Sequence, residues 1–393
     1  MKFHLMSLGK VLGVLMALLL VPNLSAAAEP GVSANSIKIG WIGGVSGPIA
    51  FVAQNARIGM ETYFKYVNDS GGINGRKIQL LSEDDGYQPV RTLAAYKKLK
   101  ERDDVFAFCG NMGTVTTASL VSILEEDKIP LVAPFGLSLS VTVPPKRYLF
   151  GIFGNYYDQM ETLGQYIVKS LKKTKISYLY QNDEAGQDGL KGLTAALERE
   201  KLSLVQGVPF ATGTQDFSAP VLKAKGGDPE VVVLLTVPVN SARIMKEIAK
   251  FGWKPLILGH APIVDEQLVE MAGDAAEGVR AAGLTVLHNS DTEVVKTYRE
   301  RLAKYSPGTR PTFWSLQAYV AGMVCAEGLK RAGENLTREG LVNALETLKN
   351  FETGIVGPIT FGPNVRAGNR SVAIMEVKNR SFVQITGWVS PSK

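Results

Sequence analysis

Lys38-Ile39-Gly40-Trp41-Ile42-Gly43-Gly44-Val45-Ser46-Gly47-Pro48 opens the stretch that decides the fold, and Ser70-Gly71-Gly72-Ile73-Asn74-Gly75-Arg76-Lys77 stands near its close at Gly86. An apolar strand runs into a glycine-rich turn, an amphipathic helix follows, and glycines stop it. In that helix Val52, Ala56, Met60, Tyr63, Phe64 and Val67 fall near one face, with Arg57, Glu61 and Lys65 largely opposite, which is the period of a half-buried helix. The unit reads as β-α-β. A glycine turn between a strand's carboxyl end and a helix's amino end leaves backbone N–H groups pointing at one spot, which suits a small anionic or polar ligand.

Upstream, Lys2 and Lys10 flank the start of an apolar run from Val11 to Val21, followed by Pro22 and then Ala26-Ala27-Ala28 before Glu29. This is the pattern of a cleavable signal peptide over residues 1–28, with cleavage near Ala28. No cysteine stands beside that point, which disfavours a lipid anchor and places the mature protein in an extracytoplasmic compartment. What remains is long enough for two domains, since single cores rarely grow beyond about 250–300 residues. The net charge of +6 includes Lys2 and Lys10 of the leader, and the other basic residues are interspersed with acids, so nucleic acid is not an expected partner. The two cysteines, Cys109 and Cys325, both sit in apolar segments. They read as buried thiols, and their spacing does not require a disulfide.

From Ile37 onward, strand-like runs alternate with helix-period segments: strands at 37–42, 78–82, 105–109 and 131–133, with helices between them. A second series follows Tyr156-Tyr157-Asp158, with strands at 176–180, 205–210, 231–235 and 255–259. Alternation at this spacing predicts a parallel α/β architecture in two similar lobes. After Gly283 come helices at 292–305, 314–331 and 337–348, then a tail from Gly354 to Trp388 whose alternating apolar residues predict short antiparallel strands.

Several polar strand ends are candidate sites. Ser46 is not a nucleophile-elbow serine, because Gly47 follows it directly where that motif needs one intervening residue. Beyond the leader only His260 and His288 are available as bases. In Cys109-Gly110-Asn111-Met112-Gly113-Thr114-Val115-Thr116, Thr114 or Thr116 is positioned to cap a helix, and the same geometry would bind a carboxylate through a hydroxyl and the helix dipole. Ala133-Pro134-Phe135-Gly136-Leu137-Ser138 adds a third polar turn at the same sheet edge. Asp84-Asp85 reads as a turn-bonding pair rather than a metal site, because no further carboxylates stand at ligand spacing.

These residues together resemble the periplasmic solute-binding proteins of ABC transporters, type I fold, in the branch of leucine/isoleucine/valine-binding proteins. The resemblance rests on Ser46-Gly47-Pro48, Gly71-Gly72-Ile73-Asn74-Gly75-Arg76, Asp84-Asp85, Gly113-Thr114, Asn182-Asp183 with Gly186 and Gly189, Phe251-Gly252-Trp253, and Gly273-Asp274-Ala275-Ala276-Glu277-Gly278. It implies two Rossmann-like lobes joined by a hinge of three crossovers, near Gly154, Gly283 and Gly357. The first lobe would then hold residues 29–154 and 284–357, and the second 155–283 and 358–393. The implied function is to bind a small carboxylate-bearing solute, a branched-chain or other hydrophobic amino acid, by hinge closure in the periplasm. The implied partner is the membrane permease of an ABC transporter, with the protein itself a monomer that uses no cofactor or metal. A ligand-sensing receptor component would use the same two lobes, while a secreted α/β enzyme lacks a recognisable catalytic set here.

Carried onto this chain, Thr114 and Ser138 with Gly113 and Gly136 are the expected carboxylate donors, and Phe51 and Tyr156 or Tyr157 the expected aromatic walls. The second lobe departs from the family pattern. Ala185 stands where an aromatic commonly stacks on the solute, and His260-Ala261 where amino-acid binders place an acid for the ammonium. Only Asp265 is near, and it would serve only if its loop bends inward. A buried ammonium needs a paired carboxylate, so an amine-free aromatic or aliphatic acid or amide is the alternative ligand.

Overall fold

The structure is a computed structural model that describes residues 29–136 and 138–392. The leader over residues 1–28 and its cleavage near Ala28 lie outside the described residues. The first lobe is built from β1 (Ser36–Gly43), α1 (Ala50–Asp69), β2 (Lys77–Asp84), α2 (Pro89–Glu101), β3 (Ala107–Cys109), α3 (Thr114–Asp127), β4 (Leu131–Val132), α4 (Leu139–Thr142) and β5 (Leu149–Phe150). Its strands form one parallel sheet in the order β2-β1-β3-β4-β5. The chain then forms α5 (Tyr156–Gln165), β6 (Ile176–Gln181), α6 (Glu184–Arg199), β7 (Gln206–Phe210), α7 (Ser218–Lys225), β8 (Val231–Leu235), α8 (Pro238–Lys250), β9 (Leu256–Gly259), α9 (Glu266–Ala272) and β10 (Arg280–Gly283). It returns through α10 (Glu293–Tyr305), α11 (Phe313–Ala332) and α12 (Arg338–Glu346), and closes with β11 (Ala373–Lys378) and β12 (Ser381–Gln384). The second sheet runs β12-β11-β10-β9-β8-β6-β7, with β11 and β12 antiparallel as the tail's alternation predicts.

The central strands of both sheets are buried on both faces, as their β-branched and aromatic runs require. The returning helix α11 lies directly on α1. A Cβ placed on Gly59 would meet the Ser315 carbonyl oxygen at 1.9 Å, so these backbones touch only because position 59 is glycine. From α11, the Ala321 carbonyl accepts from the Cys109 thiol at 3.5 Å, joining the helix to β3. Cys109 and Cys325 are both free and buried.

The third crossover differs from the sequence-based boundary at Gly357. Phe351 and Ile359 pair with each other, and Gly151 beside β5 donates to the Arg366 carbonyl at 2.8 Å and accepts from Gly368 N–H at 2.7 Å. Residues up to Gly368 therefore remain with the first lobe, and the chain passes to the second across residues 369–372. Arg366 ties this segment to the first lobe: its buried guanidinium donates to the carbonyls of Lys146 at 2.7 Å and Arg147 at 3.0 Å, and to Glu346 at 2.7 Å. Among the described residues no helix is long and apolar enough to cross a membrane.

Candidate ligand-binding cleft

The carboxyl edges of the two sheets face each other across a cavity of about 100 Å³. Strand ends are where a parallel sheet offers loop amides and helix amino termini to a ligand.

On the first-lobe side, β3 gives way to Met112-Gly113-Thr114-Val115, all lining the cavity. Gly113 has φ +119, and a Cβ there would sit 2.4 Å from Thr116 Oγ1 and 2.9 Å from the Tyr87 ring, so the turn requires glycine. Gly113 itself holds the cap position of α3, with no side-chain cap bond. The expectation that Thr114 or Thr116 caps this helix is thus corrected: Thr116 Oγ1 donates back to the Met112 carbonyl at 3.3 Å, and Thr114 is the first helical residue. Without a capping side chain, the first-turn amides of α3 have no side-chain acceptor, and the partial positive end of the helix faces the cavity. Thr114 Oγ1 lies 3.0 Å from the Tyr156 hydroxyl, which burial pushes to a high pKa, so the phenol stays neutral. Burial, then Asp183 and Asp85, push the Tyr87 phenol up to about 12.

The Ser46 turn is pinned from the neighbouring strand. Asp84 accepts from the Ser46 hydroxyl at 2.6 Å, from Ser46 N–H at 3.2 Å and from Gly86 N–H at 2.9 Å. Burial works against its charge, but these bonds and Arg91 outweigh it and hold the carboxyl at about 2. Asp85 accepts from Tyr87 N–H at 2.8 Å and the Thr92 hydroxyl at 2.9 Å, as a turn-bonding pair does.

On the second-lobe side, Gln181, Asp183 and Ala185 line the cavity where β6 meets α6. Asp183 caps α6 by accepting from Gly186 N–H at 3.0 Å, and its other oxygen accepts from the Gln181 amide at 2.5 Å. Among the described lining residues it is the one carboxylate, and no lysine or arginine joins it. His260 and Ala261 follow β9. Burial drives the His260 imidazole down to about 3, so it is neutral, and its Nδ1 has no partner. The Ala261 N–H is already taken by Gln159 Oε1 at 2.9 Å.

Six of the nine residues expected from the sequence therefore meet at one cavity: Gly113, Thr114, Tyr156, Ala185, His260 and Ala261. Three do not. Phe51 is 37% exposed, while Ile49 and Val52 on either side of it line the cavity. Gly136 packs on Thr117, and Ser138 is buried with its hydroxyl 3.1 Å from that of Ser140. Asp265 does not bend inward to serve as a counter-charge. It caps α9 through Leu268 N–H at 3.1 Å and accepts from the Trp314 indole at 2.7 Å, and burial raises its pKa. Sequence reasoning missed Asp183 as a lining acid and missed Phe313, Trp314 and Gln317, which α11 brings to the cavity from far along the chain. Asp183 had a signal, since it stands at a strand-to-helix turn in the quoted motif. The α11 residues had none, because an apolar helix looks the same whether it packs in a core or walls a cavity. Among the described residues no cluster of three metal-ligating side chains occurs.

The sequence profile of the family described as periplasmic binding protein matches residues 36–381. Leu/Ile/Val-binding protein homolog 3 of Brucella melitensis is 24% identical over 351 residues, covering 88% of this chain and 93% of that protein. Leu/Ile/Val-binding protein homolog 1 of Brucella suis is 29% identical over 322 residues, covering 81% and 84%. Among solved structures, a branched chain amino acid ABC transporter protein from Thermus thermophilus with bound valine superposes with TM-score 0.82 at 23% identity, over 91% of this chain and 97% of that one. A fatty acid ABC transporter substrate-binding protein from Thermomonospora curvata superposes with TM-score 0.83 at 22% identity, over 93% and 95%. At that identity the likeness speaks to the fold. With a profile spanning both lobes, parallel sheets meeting edge to edge across a cavity and neighbours of the same architecture, the chain belongs to the periplasmic binding protein family, with the type I two-lobed fold and Leu/Ile/Val-binding proteins among its relatives.

Proposed function

We propose that this protein is the extracytoplasmic solute-binding component of an ABC importer, and that its solute is an amino acid with a large apolar or aromatic side chain. The observation that carries this reading is the charge arrangement of the cavity, in which the uncapped amino end of α3 and the one carboxylate among the described lining residues, Asp183, face one space. A zwitterion satisfies both: its carboxylate takes the α3 amides and the Thr114 hydroxyl, and its ammonium takes Asp183. An amine-free acid would instead bring a second negative charge beside Asp183 with no cation in the lining, which a desolvated site penalises. Met112, Phe135, Trp314 and Leu284 supply an apolar wall for the side chain, and Ala185 leaves room there.

Closure of the lobes is the mechanical step, and delivery to a membrane permease follows from the closed form. Bonds across the cleft accompany it: Leu139 N–H of α4 donates to Asp188 of α6 at 2.8 Å, the Ser140 hydroxyl donates to Glu184 at 2.6 Å, and Trp314 donates to Asp265. The reading is tested by calorimetry of leucine and phenylalanine against phenylacetate, with mass spectrometry of any solute released on denaturation. The amino acids should bind and phenylacetate should not. Asp183→Asn, which still caps α6, should weaken amino-acid binding at least about tenfold, the effect of losing an ion pair of about 1.4 kcal/mol. Phenylacetate binding that is stronger than that of either amino acid would replace the zwitterion with an amine-free acid.

A further inference from the structure

Neutral aromatic side chains surround the head-group end of the cavity. A Cβ on Gly113 would sit 2.9 Å from the Tyr87 ring, and the next residue, Thr114, holds the Tyr156 hydroxyl at 3.0 Å. The His260 ring lies beside that of Tyr156, with centroids 5.8 Å apart. All three rings belong to residues that line the cavity. Burial keeps the imidazole and both phenols uncharged, and the charge of Asp183 raises the two phenols further, which sets that carboxylate beside the same rings. Tyr87 is held there against its backbone preference: its φ is +62, which a bulky residue seldom adopts, and Asp85 accepts from its N–H at 2.8 Å.

Hydrogen-bond acceptors at this end are largely engaged. Each carboxylate oxygen of Asp183 already accepts one bond, from Gly186 N–H at 3.0 Å and from the Gln181 amide at 2.5 Å, and the Gln181 oxygen accepts from the Thr236 hydroxyl at 3.4 Å. The Tyr156 hydroxyl is paired with Thr114. A primary ammonium brings three N–H donors into this space, and each one left without an acceptor is penalised where water is excluded. A fully methylated ammonium carries the same charge with no N–H, and neutral rings attract it through their quadrupoles.

We propose that Asp183 with Tyr87, Tyr156 and His260 forms a cation site for an N-methylated ammonium, so that the cleft prefers the betaine of an apolar or aromatic amino acid, its nitrogen carrying three methyl groups, over the free amino acid. This rests on the zwitterion reading and keeps its orientation: the carboxylate still takes the α3 amides and Thr114, and only the nitrogen changes. The test is calorimetry of leucine and phenylalanine against N,N,N-trimethylleucine and N,N,N-trimethylphenylalanine, with trimethylphenethylammonium as a cation that lacks the carboxylate. At least one betaine should bind about tenfold tighter or more than its parent, the size expected of a desolvated cation on neutral rings. Tyr87→Leu removes one ring and should cut that ratio at least about threefold, whereas Tyr87→Phe keeps the ring and the ratio. Circular dichroism reports whether Tyr87→Leu folds, and the wild-type ratios decide by themselves if it does not. Parents that bind with ratios below tenfold in both pairs, or a ratio that folded Tyr87→Leu cuts by less than threefold, overturn the cation site and leave the amino-acid reading intact. Betaines that bind where their parents do not support the site and replace the amino acid by its betaine. Binding by trimethylphenethylammonium alone supports the site and overturns the zwitterion. No binding by any of the five compounds overturns both.

Discussion

Thr114 stands at the polar end of the cleft, its hydroxyl buried against Tyr156 at the amino end of a helix without a side-chain cap. Thr114→Val keeps the shape and removes the hydroxyl. It should weaken solute binding about tenfold by calorimetry, corresponding to one lost hydrogen bond to a charged group of about 1.5 kcal/mol, and leave the fold's circular dichroism unchanged. His260 gives a second prediction at this scale. Its folded-state pKa is about 3, below the ordinary 6.5, so the unfolded chain takes up a proton as pH falls below 6.5 while the folded protein does not. Stability is therefore lost progressively as pH falls from 6.5 toward 3. Urea midpoints of the wild type should fall more steeply over that window than those of His260→Gln. Both residues were legible in the sequence, because each follows a strand that its apolar run marks clearly. Asp265 was open in the sequence only on condition that its loop bends inward, and the structure commits it instead to its cap to Leu268 and its bond to Trp314.

The decisive element is α11, which is buried along nearly its whole length. Its closeness to α1 depends on glycines whose strain is unequal. A Cβ on Gly59 would collide with backbone at 1.9 Å, whereas one on Gly322 would meet the Tyr63 Cβ at 3.1 Å. Gly59→Ala should cost about 1–3 kcal/mol by overpacking. At Gly322 the same change gains helix propensity of up to about 1 kcal/mol against a small clash, so it should lie near neutral. Urea denaturation of the two variants checks the ranking, and equal losses would mean that the helices are free to move apart. The helix itself was evident from its apolar composition. Its role in the cleft was not, since composition does not say which end of a buried helix meets a cavity.

Across the whole molecule, the bonds between α4 and α6 bear on the balance of open and closed forms without lining the cavity. Asp188→Ala removes the acceptor of Leu139 N–H and leaves the solute's own contacts in place. It should raise the dissociation rate in stopped-flow measurements by about three- to tenfold, the effect of losing one bond of about 1 kcal/mol. Small-angle scattering of the ligand-free variant should show a larger radius of gyration. An unchanged dissociation rate would mean that the solute alone holds the lobes together.

The alternation of strands and helices, the two lobes, and the glycine turns that end β1 and β3 were determined by the sequence itself, because hydrophobic period and turn chemistry act over a few neighbouring residues. The tertiary structure alone decided which acid lines the cavity, where the last crossover leaves the first lobe, and that α11 carries Trp314 and Gln317 to the cleft. Each of these depends on contacts between residues far apart in the chain: Arg366 with the carbonyls of Lys146 and Arg147, Asp265 with the Trp314 indole, and Gly59 against the backbone of Ser315. Such contacts are settled by packing and by the cost of leaving buried polar groups unpaired, and neither leaves a local pattern to read.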